Sequence, residues 1–444
     1  MKTKKIIVTA AALVLSSALL AGCGSGTGTT STTGGGAPET TSASAPGTTT
    51  EPSTTSQAPQ GEVAQGVTDS EILIANSAAT SGAYAPVGVP FLAGMDAYLN
   101  MVNADGGIEG RTITRLHTDD EFDPAKGSAA LTKFVEDDKV FAIVGHFGTP
   151  VVAATVGQLK EYGIPSVYFA TGIGQLYADN ATSNENGYNI FPVQPIYRTE
   201  GSIMVAYATS MFDAKKIGII YTNDDAGMDI EKGAVAQIDK MDGVEYVEQQ
   251  VAAGAVDVSA AVTAIKQAGV DFIVVASIQA TAPTIIKELA AQGVNKDCIT
   301  TYVNVSAAIS EAVVADIQGK FDVYGLGWVD YASEIAQQSL ADYTAHIDAE
   351  YAMNAYAQTG WIAAYFFCEG LRRVGAGELT WDAYMKALES APIQNPFGGK
   401  IDFSNGQRFG TQEMNLSKVV EISDELPLGW DVVSPLASIS DLLG

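Results

Sequence analysis

Short apolar runs alternate with longer amphipathic segments through most of the chain beyond residue 70. Short apolar runs rich in β-branched residues predict strands, and segments whose apolar residues recur every three or four positions predict helices. The first predicted strands cover residues 71–77, 112–118, 142–145 and 166–169, and the helices between them cover 90–104, 124–137 and 151–162. This alternation is typical of a parallel sheet with right-handed crossovers, which brings the loops that follow the strands to one edge.

The alternation restarts near residue 198 and predicts a second unit of the same kind. Its predicted helices cover 198–212, 226–241, 259–267 and 281–292, and its strands cover 216–221, 244–250, 271–276 and 298–303. A strand over 322–329 then leads back to the first unit, where helices over 334–351, 359–374 and 380–390 follow. The prediction is an α/β fold of two Rossmann-like lobes joined by a hinge. We assign residues 63–192 and 325–396 to lobe 1 and residues 193–324 and 397–444 to lobe 2.

The N-terminus has the pattern of a secretion signal. Lysines precede an apolar run over residues 6–20 that is too short to span a bilayer as an ordinary helix. The run ends in the sequence LAGC at residues 20–23, which resembles the bacterial lipobox. The resemblance implies a signal peptide over 1–22, cleavage before Cys23 and lipid attachment to its sulfur. An ordinary secretory signal with a chance cysteine is the alternative.

A low-complexity segment over residues 23–62 follows the signal. After Cys23 it consists of Gly, Ser, Thr, Ala, Pro and Gln with three glutamates, and it has no Leu, Ile, Val, Phe, Tyr or Trp. Such a segment cannot bury enough apolar surface to offset its ordering entropy, so we predict a disordered tether with a span of roughly 35 Å. Its Ser, Thr and Pro content would also suit O-glycosylation.

Charge and cysteine usage exclude several functional classes. The formal net charge is −27 and becomes −30 without the three lysines of the signal, which argues against nucleic acid and against direct adhesion to anionic lipid. Cys298 and Cys368 either pair or serve as small buried apolar side chains. The three histidines fall in no zinc-protease or nucleophile–base spacing, and no phosphate-binding GxxxxGK[ST] run occurs. We therefore predict no metal, no cofactor and no enzymatic activity.

Residues 72–111 carry a specific resemblance. They read as a buried strand, a Gly/Pro-punctuated loop with Tyr84, an amphipathic helix and a glycine turn. Their order and spacing resemble the opening of the leucine/isoleucine/valine-binding protein family, the type I periplasmic solute-binding proteins of ABC importers. The resemblance extends from residue 72 to about residue 421. It implies a Venus-flytrap fold and a monomer that captures an amino acid, a carboxylate or an amide between its lobes and delivers it to an ABC permease.

The sharpest local signal in lobe 1 is the sequence VGHFGTP at residues 144–150. A short strand ends there, and Thr149 followed by Pro150 is suited to begin a helix as its N-cap and first residue. The free amides of that helix would favour an anion. The resemblance implies that Phe147, Gly148 and Thr149 hold a ligand carboxylate, whereas a Thr149 that only caps its own helix is the alternative.

Further lobe 1 candidates follow from the same resemblance. The next predicted strand ends in YFATG at residues 168–172, where the family places a carbonyl and a hydroxyl against the ligand. A Thr171 that bonds only within its own turn is the alternative. Aromatic side chains are implied at the mouth of the pocket and on its apolar side. The candidates are Ala170, Thr171, Gly172, Tyr84 and Tyr356.

Lobe 2 departs from the pattern of the amino-acid binders. Asp225 and Ala226 occupy the loop in which many relatives carry an aromatic residue, and Ile278 replaces part of another ligand-contacting run. The acid that binds the α-ammonium group in the family has no clear match after the predicted strand over 298–303; spacing puts Tyr302, near the end of that strand, at its place, with Asn304 two residues on. A buried ammonium without a paired charge is costly. We therefore expect a carboxylate or an amide in preference to a free α-amino acid.

Two other functions stay open at this stage. The same fold serves as a ligand sensor when it passes occupancy to a signalling partner instead of a permease. An extracellular enzyme or a cell-wall interaction protein would also use a tether for reach. His146, which ends a predicted strand, is interpreted as a core side chain rather than a ligand-binding residue.

Overall fold

A computed structural model describes residues 64–331 and 333–444. The predicted signal peptide, Cys23 and the tether over 23–62 lie outside the described residues. Lobe 1 is built on five parallel strands with helices between them. Its first elements are β1 (Glu71–Ala78), α1 (Ala85–Ala104), β2 (Thr112–Asp119), α2 (Pro124–Thr132), β3 (Ala142–Phe147), α3 (Thr149–Tyr162), β4 (Ser166–Ala170) and β5 (Ile190–Phe191). The strands lie in the spatial order β2-β1-β3-β4-β5.

Lobe 2 repeats the alternation after the first crossing between the lobes, at residues 192–196. Its strands β6 to β10 are parallel neighbours in one sheet. The elements are α4 (Tyr197–Ser210), β6 (Lys216–Thr222), α5 (Asp225–Ile238), β7 (Glu245–Val251), α6 (Ser259–Ala268), β8 (Phe272–Ala276), α7 (Thr281–Ala291), β9 (Cys298–Thr300), α8 (Ala307–Ile317) and β10 (Val323–Gly327).

The remaining chain returns to lobe 1 and then closes the second sheet. Its elements are α9 (Glu334–His346), α10 (Ala355–Val374), α11 (Trp381–Glu389), β11 (Ile393–Gln394), β12 (Lys400–Ile401), β13 (Glu413–Val419), β14 (Trp430–Ser438) and α12 (Ile439–Leu443). Strands β13 and β14 are antiparallel and extend the second sheet to seven strands in the order β14-β13-β10-β9-β8-β6-β7. The predicted α/β fold of two lobes is confirmed.

The crossings between the lobes lie later than the sequence assignment places them. Strand β10 belongs to the second sheet, so the chain returns to lobe 1 after Gly327 and not at residue 325. The segment from 397 to about 411 still packs on lobe 1, because the buried Arg408 guanidinium lies 4.2 Å from the centre of the Phe191 ring and pairs with Glu389. Tertiary contacts of this kind leave no signal in local hydrophobic periodicity.

Two of the predicted helices begin four or five residues later than the helices of the structure. Helix α1 starts at Ala85 because Pro86 occupies its first turn, and Pro90, predicted as the start, lies inside it. Helix α10 starts at Ala355, where the Asn354 side chain accepts the backbone N–H groups of Tyr356 and Ala357. Tyr356 is therefore a first-turn helical residue.

Close helix packing fixes the position of α10 in lobe 1. Helices α1 and α10 approach so closely that a Cβ on Gly94 would lie 1.8 Å from the Ala357 carbonyl oxygen, and one on Gly360 would lie 1.8 Å from that of Phe91. Glycine is required at both positions because any side chain would force the helices apart. The resulting rigid contact holds the first turn of α10 against lobe 1.

Cys298 and Cys368 are separate, buried thiols, one in the second sheet and the other in α10. Among residues 64–331 and 333–444, no helix is long and apolar enough to cross a membrane. Within the same ranges, no group of three or more His, Cys, Asp or Glu side chains is arranged to hold a metal ion.

Candidate functional site

A cavity of about 590 Å³ lies between the two lobes. It is bordered by the carboxyl ends of β3, β4 and β10, the first turns of α3 and α10, and the loops that follow β8 and β9. Most of its lining side chains are apolar. The lining residues used below are Tyr84, Phe91, Phe122, Phe147, Gly148, Thr149, Ala170, Gln194, Tyr197, Ile278, Tyr302, Trp328, Asp330, Tyr331, Leu340, Met353, Tyr356, Asp424, Glu425, Leu426, Pro427, Leu428, Val432, Pro435 and Leu436.

The start of α3 supplies polar groups to the cavity. The prediction that Thr149 is the N-cap is wrong, because Gly148 occupies that position with a left-handed φ of 91° and Thr149 is the first helical residue. A Cβ on Gly148 would also lie 2.7 Å from the Phe122 ring. The Thr149 hydroxyl is therefore not used as a cap and hydrogen-bonds the Thr171 hydroxyl at 2.9 Å instead.

Tyr197 completes a cluster of hydroxyl groups at this edge. Burial raises the pKa of Tyr197 to about 12, while hydrogen bonds to Thr149 and Thr171 lower it. The phenol is thus a protonated donor at neutral pH, and its ring stacks on Tyr302 with ring centres 5.9 Å apart. Hydroxyl donors beside a helix N-terminus can stabilise an anionic head group without a cationic side chain.

A hydrogen-bonded chain joins the lobes behind this cluster. The Gln194 amide donates from Nε2 to the Tyr168 hydroxyl at 2.7 Å and accepts at Oε1 from the Tyr302 hydroxyl, also at 2.7 Å. Gln194 lies on the first crossing, Tyr168 on β4 and Tyr302 just after β9. Tyr168 adopts a φ of 61°, which is a strained conformation for a bulky residue. This series of hydrogen bonds therefore holds the strained residue Tyr168 next to the cavity.

Glu200 is a buried acid that lies behind Tyr302. Its carboxyl oxygens accept the Thr301 hydroxyl at 2.6 Å and the Tyr302 backbone N–H at 2.9 Å. Burial raises the pKa of Glu200 to about 8, and the two hydrogen bonds only partly offset that effect. The carboxyl is mainly neutral at pH 7 and supports the backbone at Tyr302. It does not line the cavity.

Charged groups are scarce along the cavity wall. Among the described residues that line it, none is a lysine, an arginine or a histidine, and the acids are Asp330, Asp424 and Glu425. Asp424 and Glu425 are exposed. The interior position next to Tyr197 holds the neutral Tyr302. The wall is therefore built for an apolar body and a hydrogen-bonding head group.

An aromatic pair closes one side of the cavity. Tyr84 and Phe122 stack with ring centres 3.7 Å apart. Glu121 and Phe122 both have positive φ values, 53° and 66°, and the buried Asp120 carboxylate accepts the Phe122 backbone N–H at 2.9 Å. Two consecutive left-handed non-glycine residues are costly and are typical of functional loops. Sequence reasoning missed Phe122 because nothing in its local pattern marks this conformation.

The structure brings most of the predicted site residues together. The predicted residues that line the cavity are Tyr84, Phe147, Gly148, Thr149, Ala170, Ile278, Tyr302 and Tyr356. Thr171 and Gly172 lie directly behind them. The Thr171 hydroxyl also accepts the Ile173 N–H at 3.3 Å, within its own turn, and Gly172 packs against the Pro195 carbonyl.

Asp225 and Ala226 do not reach the main cavity. Ala226 is fully buried in the core of lobe 2. Asp225 borders a separate cavity of about 140 Å³ together with Arg198 and Asp229. Helix α5 begins at Asp225, with Asp224 as the N-cap that accepts the Gly227 N–H. Its first residues therefore lie beside the small cavity and in the core of lobe 2, outside the main cavity.

His146 is buried, and one of its ring nitrogens, Nε2, lies 2.9 Å from the Thr155 hydroxyl. Burial lowers the pKa of His146 to about 4, so the ring is neutral at physiological pH. The side chain does not line the cavity. This position agrees with its interpretation as a core residue.

Comparison with known proteins identifies the family of this chain. The profile of the periplasmic binding protein family matches residues 71–424, and the chain belongs to this family. A similar curated protein is a Leu/Ile/Val-binding protein homologue from Brucella abortus (strain 2308), which is 26% identical over 261 residues and is aligned over 59% of this chain and 68% of its own length.

Solved structures of binding proteins for different ligands share the fold. A fatty acid ABC transporter substrate-binding protein from Thermomonospora curvata superposes with a TM-score of 0.73 at 19% identity, over 86% of this chain and 96% of its own. A branched-chain amino acid ABC transporter protein from Thermus thermophilus with bound valine gives 0.71 at 16% identity, over 85% and 98%. Because their sequence identity to this chain is low, these structures are evidence for the fold alone.

Family membership makes this chain an extracytoplasmic solute-binding protein that delivers a small molecule to an ABC importer. Proteins of this family and fold bind ligands and are generally not enzymes. The chemistry of the cavity wall, rather than the fold, has to identify the ligand.

Proposed function

We propose that the chain captures a monocarboxylate with an apolar body and hands it to the importer. The observation that carries this proposal is the neutral Tyr302 at the position implied for an ammonium-binding acid, with its hydroxyl donated to Gln194. An α-ammonium group placed there would lose its hydration without gaining a charged partner. A carboxylate at Thr149 would instead gain hydroxyl donors and the N-terminus of α3.

The body of the ligand would lie against aromatic and aliphatic side chains. Phe91 and Phe147 lie on the lobe 1 side, with ring centres 5.7 Å apart, and Ile278 and Trp328 approach from lobe 2 and the second crossing. An apolar body buried in such a site provides most of the binding free energy, while the polar groups fix its orientation.

Lobe closure would complete the site. The Asp229 carboxylate on α5 accepts the Gly174 backbone N–H of lobe 1 at 2.7 Å and pairs with Arg198 at 2.9 Å. On the other side of the cleft, the Tyr356 hydroxyl of lobe 1 donates to the Val303 carbonyl of lobe 2 at 3.3 Å. We propose that ligand binding favours this closed arrangement, which the permease recognises.

We also propose that a lipid anchors the protein to the cell membrane. The LAGC motif supports lipid attachment at Cys23, and residues 23–62 would then act as the tether that holds a monomeric binding domain near the permease. Metabolic labelling with a tagged fatty acid tests this part. Label on the wild type and none on Cys23→Ser is the expected result, and equal labelling of both would reject the anchor.

A matched ligand pair tests the ligand class. Isocaproate is leucine without its ammonium group, so calorimetry with both isolates that group. We expect isocaproate to bind about tenfold or more tightly than leucine. Thr149→Val should remove most of this affinity, while Thr149→Ser, which keeps the hydroxyl, should retain it. Tighter binding of leucine, or an unaffected Thr149→Val variant, would refute the proposal. Recovery of the ligand unchanged distinguishes binding from turnover.

A further inference from the structure

The cavity continues into a second region walled by the C-terminal hairpin. We name as the outer chamber the part lined on lobe 2 by the loop between β13 and β14 and by β14 itself, and on lobe 1 by α9 and the turns that flank it. Its residues are Tyr331, Leu340, Met353, Leu426, Pro427, Leu428, Val432, Pro435 and Leu436. All of them border the same 590 Å³ space as Thr149 and Tyr197.

The outer chamber exposes apolar groups to water. Val432 is 56% exposed and Met353 is 42% exposed, and the leucines of the hairpin loop are half-buried. Exposed apolar side chains gain free energy when an apolar group covers them, at about 25 cal/mol per Å² of area removed from water. Continuity with the ligand cavity makes the ligand itself the occupant.

The hairpin wall lies beyond the part of the chain that the family profile describes. The profile match ends at residue 424, whereas the wall residues run from Leu426 to Leu436. Two tertiary contacts connect this wall to residues that the family profile covers. The Trp430 indole N–H donates to the Ser306 carbonyl at 3.0 Å, and the hydroxyl of Tyr356 lies 3.4 Å from that of Ser306.

Charge around the outer chamber limits what the tail of a ligand can carry. Asp424 and Glu425 are exposed and line the cavity next to Leu426, and no lysine, arginine or histidine is among the described lining residues. A second carboxylate at the far end of a ligand would meet like charges without a compensating cation. A neutral apolar tail avoids this penalty.

We propose that the outer chamber is a tail subsite that selects elongated monocarboxylates over short ones and over dicarboxylates. The inference rests on the proposed carboxylate function and adds to it a length and a polarity for the ligand. The hairpin wall, which the family profile does not cover, is then the specificity-determining element of this chain.

Adjacent valines on β14 provide a matched test. Val432 lines the cavity, whereas Val433 is 37% exposed and is not among the lining residues, because successive side chains on a strand point to opposite faces. The full-length protein and its Val432→Asp and Val433→Asp variants are titrated with butanoate, octanoate and tetradecanoate below their micelle concentrations, and with the dicarboxylate of the same length as tetradecanoate.

We expect wild-type affinity to rise from butanoate to tetradecanoate and the dicarboxylate to bind at least about tenfold more weakly than tetradecanoate. Val432→Asp should weaken tetradecanoate binding by about tenfold and leave butanoate binding unchanged. Val433→Asp should change neither affinity. Equal affinity along the series, equal effects of the two variants, or tight binding of the dicarboxylate would overturn the tail subsite.

The same titrations separate this inference from the function on which it rests. If all three monocarboxylates bind equally and all depend on Thr149, the tail subsite is refuted and the carboxylate function stands. If no carboxylate binds but the corresponding amides show the length dependence and the Val432 effect, the tail subsite stands and the head-group assignment is wrong.

Discussion

The hydroxyl of Tyr302 donates to the side-chain oxygen of Gln194 at 2.7 Å. This bond joins the loop after β9 in lobe 2 to the first crossing between the lobes, and the Gln194 amide continues it to Tyr168 in lobe 1. The Tyr302 hydroxyl is therefore engaged by a neutral partner inside the protein. The proposed ligand preference and the hydrogen-bonded link between the lobes therefore involve the same side chain.

Removing the Tyr302 hydroxyl should weaken this connection between the lobes without disrupting the packing of the core. Tyr302→Phe keeps the ring that stacks on Tyr197 but leaves the buried Gln194 oxygen without this donor. We expect the free energy of unfolding to fall by about 1–3 kcal/mol. Chemical denaturation measures this loss. Tyr324→Phe, whose hydroxyl forms a longer bond of 3.4 Å to Asp322, serves as the control and should cost less.

Glu200 should make stability depend on pH. Its folded pKa, about 8, lies above the ordinary value of 4.5, so the folded state retains a proton that the unfolded chain releases. Stability from this group is therefore present at acidic pH and falls as pH rises through the window from about 4.5 to 8. For one proton, the free energy of unfolding changes by at most about 1.4 kcal/mol per pH unit.

The Glu200→Gln variant isolates this effect. Glutamine keeps an acceptor for the Tyr302 N–H and stays neutral at every pH. We expect the difference in stability between variant and wild type to move in favour of the variant as pH rises through the same window. Thermal unfolding of both proteins at matched pH values measures the difference. A difference that does not change with pH would show that Glu200 does not titrate in this range.

Asp229 should control closure for every ligand alike. Asp229→Ala removes the acceptor of the Gly174 N–H and the partner of Arg198, on opposite sides of the cleft. We expect all ligands to bind about tenfold more weakly, with their ranking unchanged, because the variant loses the closed state rather than a ligand contact.

Small-angle scattering and a neighbouring variant complete this test. The Asp229→Ala protein should show a larger radius of gyration at saturating ligand than the wild type. Asp225→Ala, on the first turn of the same helix and beside the same small cavity, provides the control and should have a smaller effect. A change in ligand ranking would instead place Asp229 in direct contact with the ligand.

Local sequence determined the elements and the class of fold. The apolar runs that became β1, β3 and β8 are buried along most of their length, and the amphipathic segments between them could bury their apolar faces only against a sheet. The same reasoning placed Thr149 at the cavity, because the residues that follow parallel strands meet at one edge, whereas Tyr302 was placed there by the family resemblance.

Tertiary structure decided what hydrophobic periodicity does not encode. The positive φ of Phe122, the bond between Tyr302 and Gln194 and the wall formed by β14 join residues that are far apart in the chain. Asp225 and Ala226 were predicted to contact the ligand, but the tertiary structure places Asp225 beside a separate small cavity and Ala226 in the core of lobe 2. The sequence by itself determined the family, the two lobes and the edge of lobe 1 that borders the cavity, because those depend on local pattern. The shape and charge of the rest of the cavity depend on how the lobes and the hairpin pack together, and only the tertiary structure decided them.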